Sequence, residues 1–312
     1  MAKWALILVV AAAALWSGWW IVGARSTEAT AIRGIDAAEI QGWQIARDDL
    51  SVRGFPNRFD LTLDAPRITT PDGWTLAAPI LRAFALSYRP NHLIAVAPPQ
   101  MTLSHPTTGD IAITSDDLRA SLVVTPSATP ALDRATLVIE ALRVGDLSLA
   151  TGQIATRQAG GVTIHDLAID LSDLVAPGLE GAVDTVDLDA TLTFDRAVRA
   201  GAPARLDRLE LRGADLVWQE ARATLSGEMS VMSDGTPRGS FALRLTAWEP
   251  LLEQAIATGL VPAGQAPLIA AGLRGLTDDA GQATVPVTLE DGLLLVLGLP
   301  VATLPRLPVP GR

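Results

Sequence analysis

Residues 186–195 read VDLDATLTFD, a stretch in which apolar and polar residues alternate one by one. The apolar residues are Val186, Leu188, Ala190, Leu192 and Phe194. Successive side chains of a β-strand point to opposite faces of a sheet, so an alternation of this kind places every apolar residue on the same face. The stretch is therefore predicted to be a strand with one buried face and one solvated face.

The same two-residue period recurs elsewhere in the chain, at residues 59–63, 223–231 and 241–245. Turn-forming sequences separate the apolar stretches at short intervals, as in Pro71-Asp72-Gly73 and Asp291-Gly292. Short strands at regular spacing favour a meandering antiparallel sheet over strand–helix–strand units.

Two segments near the C-terminal end have helical patterns, residues 251–259 and 267–276, each with proline at or just before its start. The strand pattern returns at 284–289 and 293–297. The predicted fold class is mainly β (α+β): an N-terminal transmembrane helix, a curved antiparallel β-sheet body, and a helical hairpin near the C-terminus.

The segment WALILVVAAAALWSGWWIV, residues 4–22, carries no charge and lies between Lys3 and Arg25. About 20 apolar residues cross a bilayer as a helix, so this segment is just long enough. A cleaved signal peptide is the competing interpretation, but the apolar stretch exceeds the usual 7–15 residues. A buried core helix would be expected to carry a polar side. Lys3 favours a cytoplasmic N-terminus, which predicts a single-pass inner-membrane protein with its body in the periplasm.

The expected organisation has three parts. Residues 1–25 form a transmembrane signal anchor, residues 26–42 a stalk helix, and residues 43–312 a β-rich periplasmic domain. The loop containing Pro177-Gly178 and Gly181 suggests a division of that domain into two lobes near 175–182.

Composition excludes several classes of partner and site. The chain has 24 basic and 34 acidic residues, a formal net charge of −10, which argues against nucleic acid as a partner. It contains no cysteine, so disulfides and thiolate metal sites are excluded. We expect no cofactor.

The most distinctive short motif is Gly54-Phe55-Pro56-Asn57-Arg58. One interpretation is structural: Gly54 and Pro56 make a bend between strands, Phe55 enters the core, and Arg58 binds carbonyl groups or pairs with Asp60 or Asp64. The alternative is a ligand- or partner-binding corner formed by Phe55 and Arg58. The structural interpretation is favoured, because turn-forming residues account for most of the motif.

No metal site or catalytic centre is predicted. The candidate ligands are Asp184, Asp187, Asp189 and Asp195. Alternation places Asp187, Asp189 and Asp195 on one exposed strand face, with about 6.6 Å between next-but-one residues and no turn to gather them. His92, His105 and His165 lack metal-binding spacing, and the apolar pattern around His165 suggests a β-bulge. Nucleophile-elbow, phosphate-loop and dinucleotide motifs are missing, so a non-enzymatic protein is expected.

The stretch RGFPNRFDLTL, residues 53–63, followed by Ala65-Pro66, resembles the signature of the domain of unknown function 2125 family of alphaproteobacterial envelope proteins. That resemblance implies an N-terminal membrane segment, an alternating strand after the motif and a closing hairpin. It supplies no activity and no catalytic residues. The segment from Gly227 to the end also resembles, more weakly, the C-terminal part of AsmA-like envelope proteins.

These observations favour an inner-membrane-anchored envelope protein that binds or conveys a lipid or another hydrophobic ligand. The ligand would occupy an apolar groove between the curved sheet and the helical hairpin. The alternative is a non-enzymatic structural or scaffold partner of an envelope complex. The hydrophobic content of 49% fits a lipid site, although the anchor and an ordinary core also raise it.

Overall fold

A computed structural model describes residues 2–308, without the side chains of Ala2 and Ala5. The described chain is mostly antiparallel β-structure, with one long N-terminal helix and two short helices near the C-terminus. The predicted fold class is confirmed. The chain divides into two compact units: unit 1 comprises residues 1–123 and 139–145, and unit 2 comprises residues 124–138 and 146–312.

Unit 1 begins with a single 39-residue helix, α1 (Ala2–Ile40). The predicted anchor and the predicted stalk are therefore consecutive parts of one helix, without a break near Arg25. Its segment Leu6–Ile40 is long and apolar enough to cross a membrane.

The strands of unit 1 are short and form two series of antiparallel pairs. They are β1 (Gln44–Ala46), β2 (Asp49–Arg53), β3 (Arg58–Asp64), β4 (Arg67–Thr69), β5 (Thr75–Ala77), β6 (Ile80–Leu86), β7 (Arg89–Val96), β8 (Gln100–His105), β9 (Gly109–Thr114) and β10 (Asp117–Val124). One series is β2–β3–β6–β7–β10 and the other is β1–β4–β5–β8–β9. Strand β11 (Leu132–Val144) adds its last residues to β9.

The chain changes from one series to the other at corners that are rich in proline. Pro66 follows β3, Pro79 precedes β6, and Pro98-Pro99 precedes β8. Proline has no backbone N–H to donate to a neighbouring strand, so it ends pairing at these points. Two corners bind each other, since Ala65 N–H donates to the Pro79 carbonyl and Ala78 N–H to the Pro66 carbonyl.

Unit 2 is a meander in which each strand pairs with the next, and all but its last two strands are longer than β1–β10. Its strands are β12 (Leu147–Gln158), β13 (Ile164–Val175), β14 (Val183–Phe194), β15 (Leu206–Trp218), β16 (Ala221–Val231), β17 (Pro237–Thr246), β18 (Gln282–Glu290), β19 (Leu293–Val296) and β20 (Leu299–Thr303). Helices α2 (Glu249–Ala257) and α3 (Ala266–Leu276) lie in the connection between β17 and β18.

The predicted lobe boundary near 175–182 does not match the observed units. Those residues form the connection between β13 and β14, which pair from Ile164–Thr193 to Leu174–Val183. Strands joined by a continuous ladder belong to the same unit. The two units are instead divided within residues 123–146.

A hydrophobic core in unit 2 lies between the last strands and the helical hairpin. Its buried members come from β17, the following loop, α3 and β18: Leu245, Trp248, Ile269, Leu273, Ala283 and Val285. The strands β16–β18 reach this core with one face only, because Leu225, Leu243 and Val285 occupy matching register positions. The other face carries polar residues such as Thr224, Arg244 and Thr284.

Candidate functional site

An apolar cavity of about 320 Å³ lies in unit 2 between the β16–β20 strands and the helical hairpin. All of its lining residues are aliphatic or tryptophan: Leu225, Leu243, Leu245, Trp248, Leu251, Leu252, Ala255, Leu260, Val261, Ile269, Leu273, Val285, Val287, Leu294, Val296 and Val301. This is the place where the sequence predicted an apolar groove.

Local sequence explains why these side chains converge. The two-residue period of β17 and β18 turns Leu243, Leu245, Val285 and Val287 to the same side. The turn at Asp291-Gly292, where both residues have positive φ, then folds β19 back beside β18. Strand β19 thereby adds its own apolar residues to the wall.

The two helices contribute unequally to the cavity. Helix α3 is anchored by Ile269 and Leu273, which are both buried, whereas α2 has no fully buried residue. Leu260, in the loop after α2, lines the cavity and is 61% exposed. The wall of the cavity is therefore less tightly packed at α2 and Leu260 than at α3.

The chemistry of the lining restricts what can bind. No lining residue carries a charge or a titratable group. Water in a protein cavity needs two to four polar partners, which this lining does not supply, so an apolar occupant is favoured. The volume lies at the lower end of the ~300–1,000 Å³ range of ligand pockets.

The motif predicted to be a strand bend forms the connection between β2 and β3; we call residues Gly54–Arg58 the β2–β3 tip. Gly54 has φ +106, a conformation that favours glycine, and a Cβ there would lie 2.9 Å from the Arg58 carbonyl oxygen. Arg58 pairs with Asp60 at 2.9 Å, one of the two partners predicted for it. Phe55 is 56% exposed, so it does not enter the core.

The tip contacts α1, which sequence reasoning did not predict. The Trp16 indole N–H donates to the Pro56 carbonyl at 3.0 Å, and the Trp20 indole N–H donates to the Arg58 carbonyl at 2.7 Å. The Trp20 ring meets the Phe55 ring edge-on, with centroids 5.4 Å apart.

The same helix face also covers the start of β3. The buried ring of Phe59 lies directly over Gly23, where an added Cβ would come within 2.3 Å of a ring carbon. Trp16, Trp20 and Gly23 are spaced i, i+4, i+7, which places them on one helix face. That spacing was the available sequence signal for this contact.

The acidic residues considered as metal ligands do not come together. Asp189 binds Arg212 at 2.9 Å, Asp184 accepts the backbone N–H of Gln219, and Asp195 accepts the backbone N–H of Arg205. The hydrogen bond from Arg212 lowers the pKa of Asp189. Within residues 2–308, no group of three histidine or acidic side chains is placed to hold a metal ion.

The three histidines lie in separate environments. His92 bonds to Ser121, and His105 bonds to Thr107 and to the Asp72 carbonyl. His165 is fully buried and pairs in regular register with Leu192, so the β-bulge predicted at this position was wrong. Its side chain shares the apolar face of β13. The neighbouring irregularities in register occur between β14 and β15 and between β15 and β16.

The sequence from residue 20 to residue 305 matches the family described as "Uncharacterized protein conserved in bacteria (DUF2125)". The chain belongs to this family. The predicted membership is therefore confirmed, whereas no match supports the weaker resemblance to AsmA-like proteins. No curated protein and no solved structure matches the chain significantly. The DUF2125 match includes the β2–β3 tip, only residues 20–22 of the apolar segment, and every residue of the cavity lining.

Proposed function

We propose that this DUF2125 protein is a membrane-anchored, non-enzymatic protein that binds a lipid acyl chain in the cavity beneath α2 and α3. The observation that carries the proposal is the lining, which consists entirely of apolar side chains and tryptophan. Acyl chains gain about 0.8 kcal/mol for each buried CH₂ group, so an apolar cavity is sufficient to hold one.

The location of the protein is part of the proposal. Helix α1 is long and apolar enough to cross a membrane. Lys3 next to the apolar segment favours a cytoplasmic N-terminus, and the body would then lie in the periplasm. An anchored protein works within reach of lipid, which supports a role in binding or conveying lipid in the envelope.

The cavity supports binding more than catalysis. Acid–base and nucleophilic mechanisms need titratable or nucleophilic groups at the bound molecule, and the lining contains none. The absence of charge also means that the cavity would recognise the chain of a lipid and leave the headgroup outside.

A photoreactive probe tests the proposal with the full-length protein in lipid nanodiscs. Palmitate that carries a diazirine on its chain is added, illuminated, and its adducts are mapped by mass spectrometry. We expect adducts on residues 243–261, with adducts on α1 as an internal control for lipid contact. Adducts confined to α1 would contradict the proposal.

Matched variants of α2 make the test specific. Ala255 lines the cavity, whereas Ala257 is exposed on the same helix. Ala255→Trp should fill the cavity and reduce labelling of residues 243–261 several-fold, while Ala257→Trp should leave labelling unchanged. Equal labelling of both variants would contradict the cavity assignment. A stoichiometric protein partner without bound lipid would instead support the scaffold alternative.

A further inference from the structure

The hydrogen bonds of the β2–β3 tip fix its position along α1. The Pro56 carbonyl is bonded to Trp16 and the Arg58 carbonyl to Trp20. Trp16 lies nine residues before Arg25, the first charged residue after the apolar segment. At a rise of about 1.5 Å per residue, Trp16 lies about 13 Å from Arg25 along the helix axis, on the side of Lys3. Pro56, which is bonded to Trp16, lies at the same level.

The length of the apolar segment then decides where the bilayer must lie. Lys3 and Arg25 are about 33 Å apart along the helix, which matches a hydrocarbon layer of ~30 Å. If the hydrocarbon ended before Trp16, only residues 4–15 would remain, about 18 Å of helix and too little to cross. A bilayer crossed by α1 therefore extends beyond the level of Trp16 and reaches the tip.

Several exposed side chains around the tip are aromatic, as expected for residues at the headgroup level of a bilayer. Phe55 is 56% exposed, and Trp19 on α1 is 54% exposed. Tyr88, the only tyrosine of the chain, is 61% exposed in the turn between β6 and β7. That turn is bonded to the tip, because Ser87 N–H donates to the Asn57 carbonyl. Amphipathic aromatic rings concentrate at the headgroup level of membranes.

Most backbone carbonyls of the tip have hydrogen-bond partners within the protein, as a layer with little water requires. The Pro56 carbonyl accepts hydrogen bonds from Trp16 and from the Ser87 hydroxyl, and the Gly54 carbonyl accepts one from Arg58 N–H. The Asn57 and Arg58 carbonyls are bonded to Ser87 and Trp20. Proline itself has no N–H. Four of the five carbonyls of the tip are therefore hydrogen-bonded, which lowers the cost of placing irregular chain at membrane depth.

We propose that the β2–β3 tip and the adjoining β6–β7 turn insert into the boundary between headgroups and acyl chains of the bilayer that α1 crosses. Phe55 and Tyr88 face the acyl boundary. The exposed Arg89 reaches outward to lipid phosphates, as long cationic side chains do at interfaces, while Arg58 stays paired with Asp60. The inference rests on the proposed anchoring by α1, and it assigns a second, peripheral membrane contact to unit 1.

Spin labels at single cysteines measure this depth, and the cysteine-free chain needs no prior substitutions. Full-length Tyr88→Cys and Phe55→Cys proteins are labelled in nanodiscs, and collisions with oxygen are compared with collisions with a water-soluble nickel chelate. Thr108→Cys, in the exposed turn between β8 and β9 of the same unit, is the control. We expect the oxygen-to-nickel ratio to be several-fold higher at residues 55 and 88 than at residue 108.

A third label separates failure of the inference from failure of the anchor. Val10→Cys lies within the apolar segment and should have the highest oxygen preference. A high ratio at residue 10 with ratios at 55 and 88 equal to that at 108 would overturn the inference alone. A low ratio at residue 10 would overturn the anchoring as well. Tyr88→Cys remains informative if Phe55→Cys disturbs the contact with Trp20.

Discussion

At the scale of single residues, His165 is the most unusual side chain of unit 2. It is fully buried, and its ring lies edge-on to Phe194 with centroids 5.9 Å apart. Neither ring nitrogen makes a hydrogen bond of ordinary geometry with another described residue, although the Val162 carbonyl lies close enough to interact with the ring. Burial lowers its pKa, and the Val162 carbonyl and the charge of Asp133 oppose this effect without reversing it. The folded protein therefore holds this imidazole neutral at a pH where the unfolded chain would bind a proton.

Replacing His165 should remove a pH-dependent loss of stability. The pKa of His165 is lower in the folded protein than the value of about 6.5 expected in the unfolded chain. The free energy of unfolding is therefore unaffected by this group above about pH 6.5 and falls as the pH drops below that value. His165→Leu should abolish this decline and stabilise β13–β14 by about 1–3 kcal/mol, because an unbonded buried polar group is removed. Hydrogen exchange of residues 164–194, corrected for intrinsic rates at pH 8 and pH 5.5, measures both effects. His92→Gln, in unit 1, should leave them unchanged; an unaltered decline in His165→Leu would contradict the assignment.

Gly23 is the residue on which the contact between α1 and β3 depends. A Cβ at this position would meet the Phe59 ring at 2.3 Å, whereas nothing lies within 4 Å of a Cβ at Gly18. Gly23→Leu should weaken the contact by about 1–3 kcal/mol through overpacking. Hydrogen exchange at the β2–β3 tip should then rise several-fold, and Gly18→Leu should have no effect. Equal exchange in the two variants would show that the contact does not stabilise the tip.

At the scale of elements, three neighbouring strands of unit 2 bring like charges together. Asp170 of β13, Asp187 of β14 and Asp215 of β15 are direct register partners, and all three are exposed. Two residues along β14, Asp189 instead pairs with Arg212. One face of the sheet therefore contains a row of three aspartates that repel one another and, beside it, an aspartate whose charge is neutralised by an arginine.

Substitutions on this face should have opposite effects. Asp187→Asn should stabilise unit 2 by about 0.2–1 kcal/mol, since directly opposed like charges destabilise a sheet. Asp189→Asn should be neutral or destabilising by up to about 1 kcal/mol, because it removes an exposed ion pair. Thermal unfolding at low and high salt measures both, and added salt should shrink both effects. A destabilising effect of Asp187→Asn would argue that the aspartate row serves another purpose.

The sequence predicted strands and helices better than it predicted which side chains contact one another. Alternation located β14, β16 and β17, and proline and glycine located the helical hairpin, because these patterns are local. The bulge expected at His165 rested on a switch of the apolar positions from Val162 and Ile164 to Leu167 and Ile169. It was wrong because Val162 lies outside β13, which begins at Ile164 and pairs in regular register. The contact of Trp16 with Pro56 joins residues 40 positions apart, and no local pattern specifies which side chains meet over that distance.

At the scale of the whole molecule, membership of the DUF2125 family was predictable because the tip motif is distinctive even in a single sequence. The division into units was not predictable, since turn-forming residues at 176–182 mark a hairpin connection and a domain boundary equally well. The cavity was predicted as a groove between the sheet and the helical hairpin, but its volume depends on side-chain packing that the sequence pattern does not specify.

The continuity of α1 has a mechanical consequence. A flexible linker would let a tethered domain sample a wide range of heights above the bilayer. Here the helix continues for 15 residues past Arg25, ends at Ile40, and is followed by β1 at Gln44. The β2–β3 tip is hydrogen-bonded to the same helix. If α1 spans the bilayer, unit 1 is held at a constant height above the membrane surface. It can still rotate about the helix axis and diffuse laterally. Any molecule that engages unit 1 must then meet it at one set distance from the membrane surface.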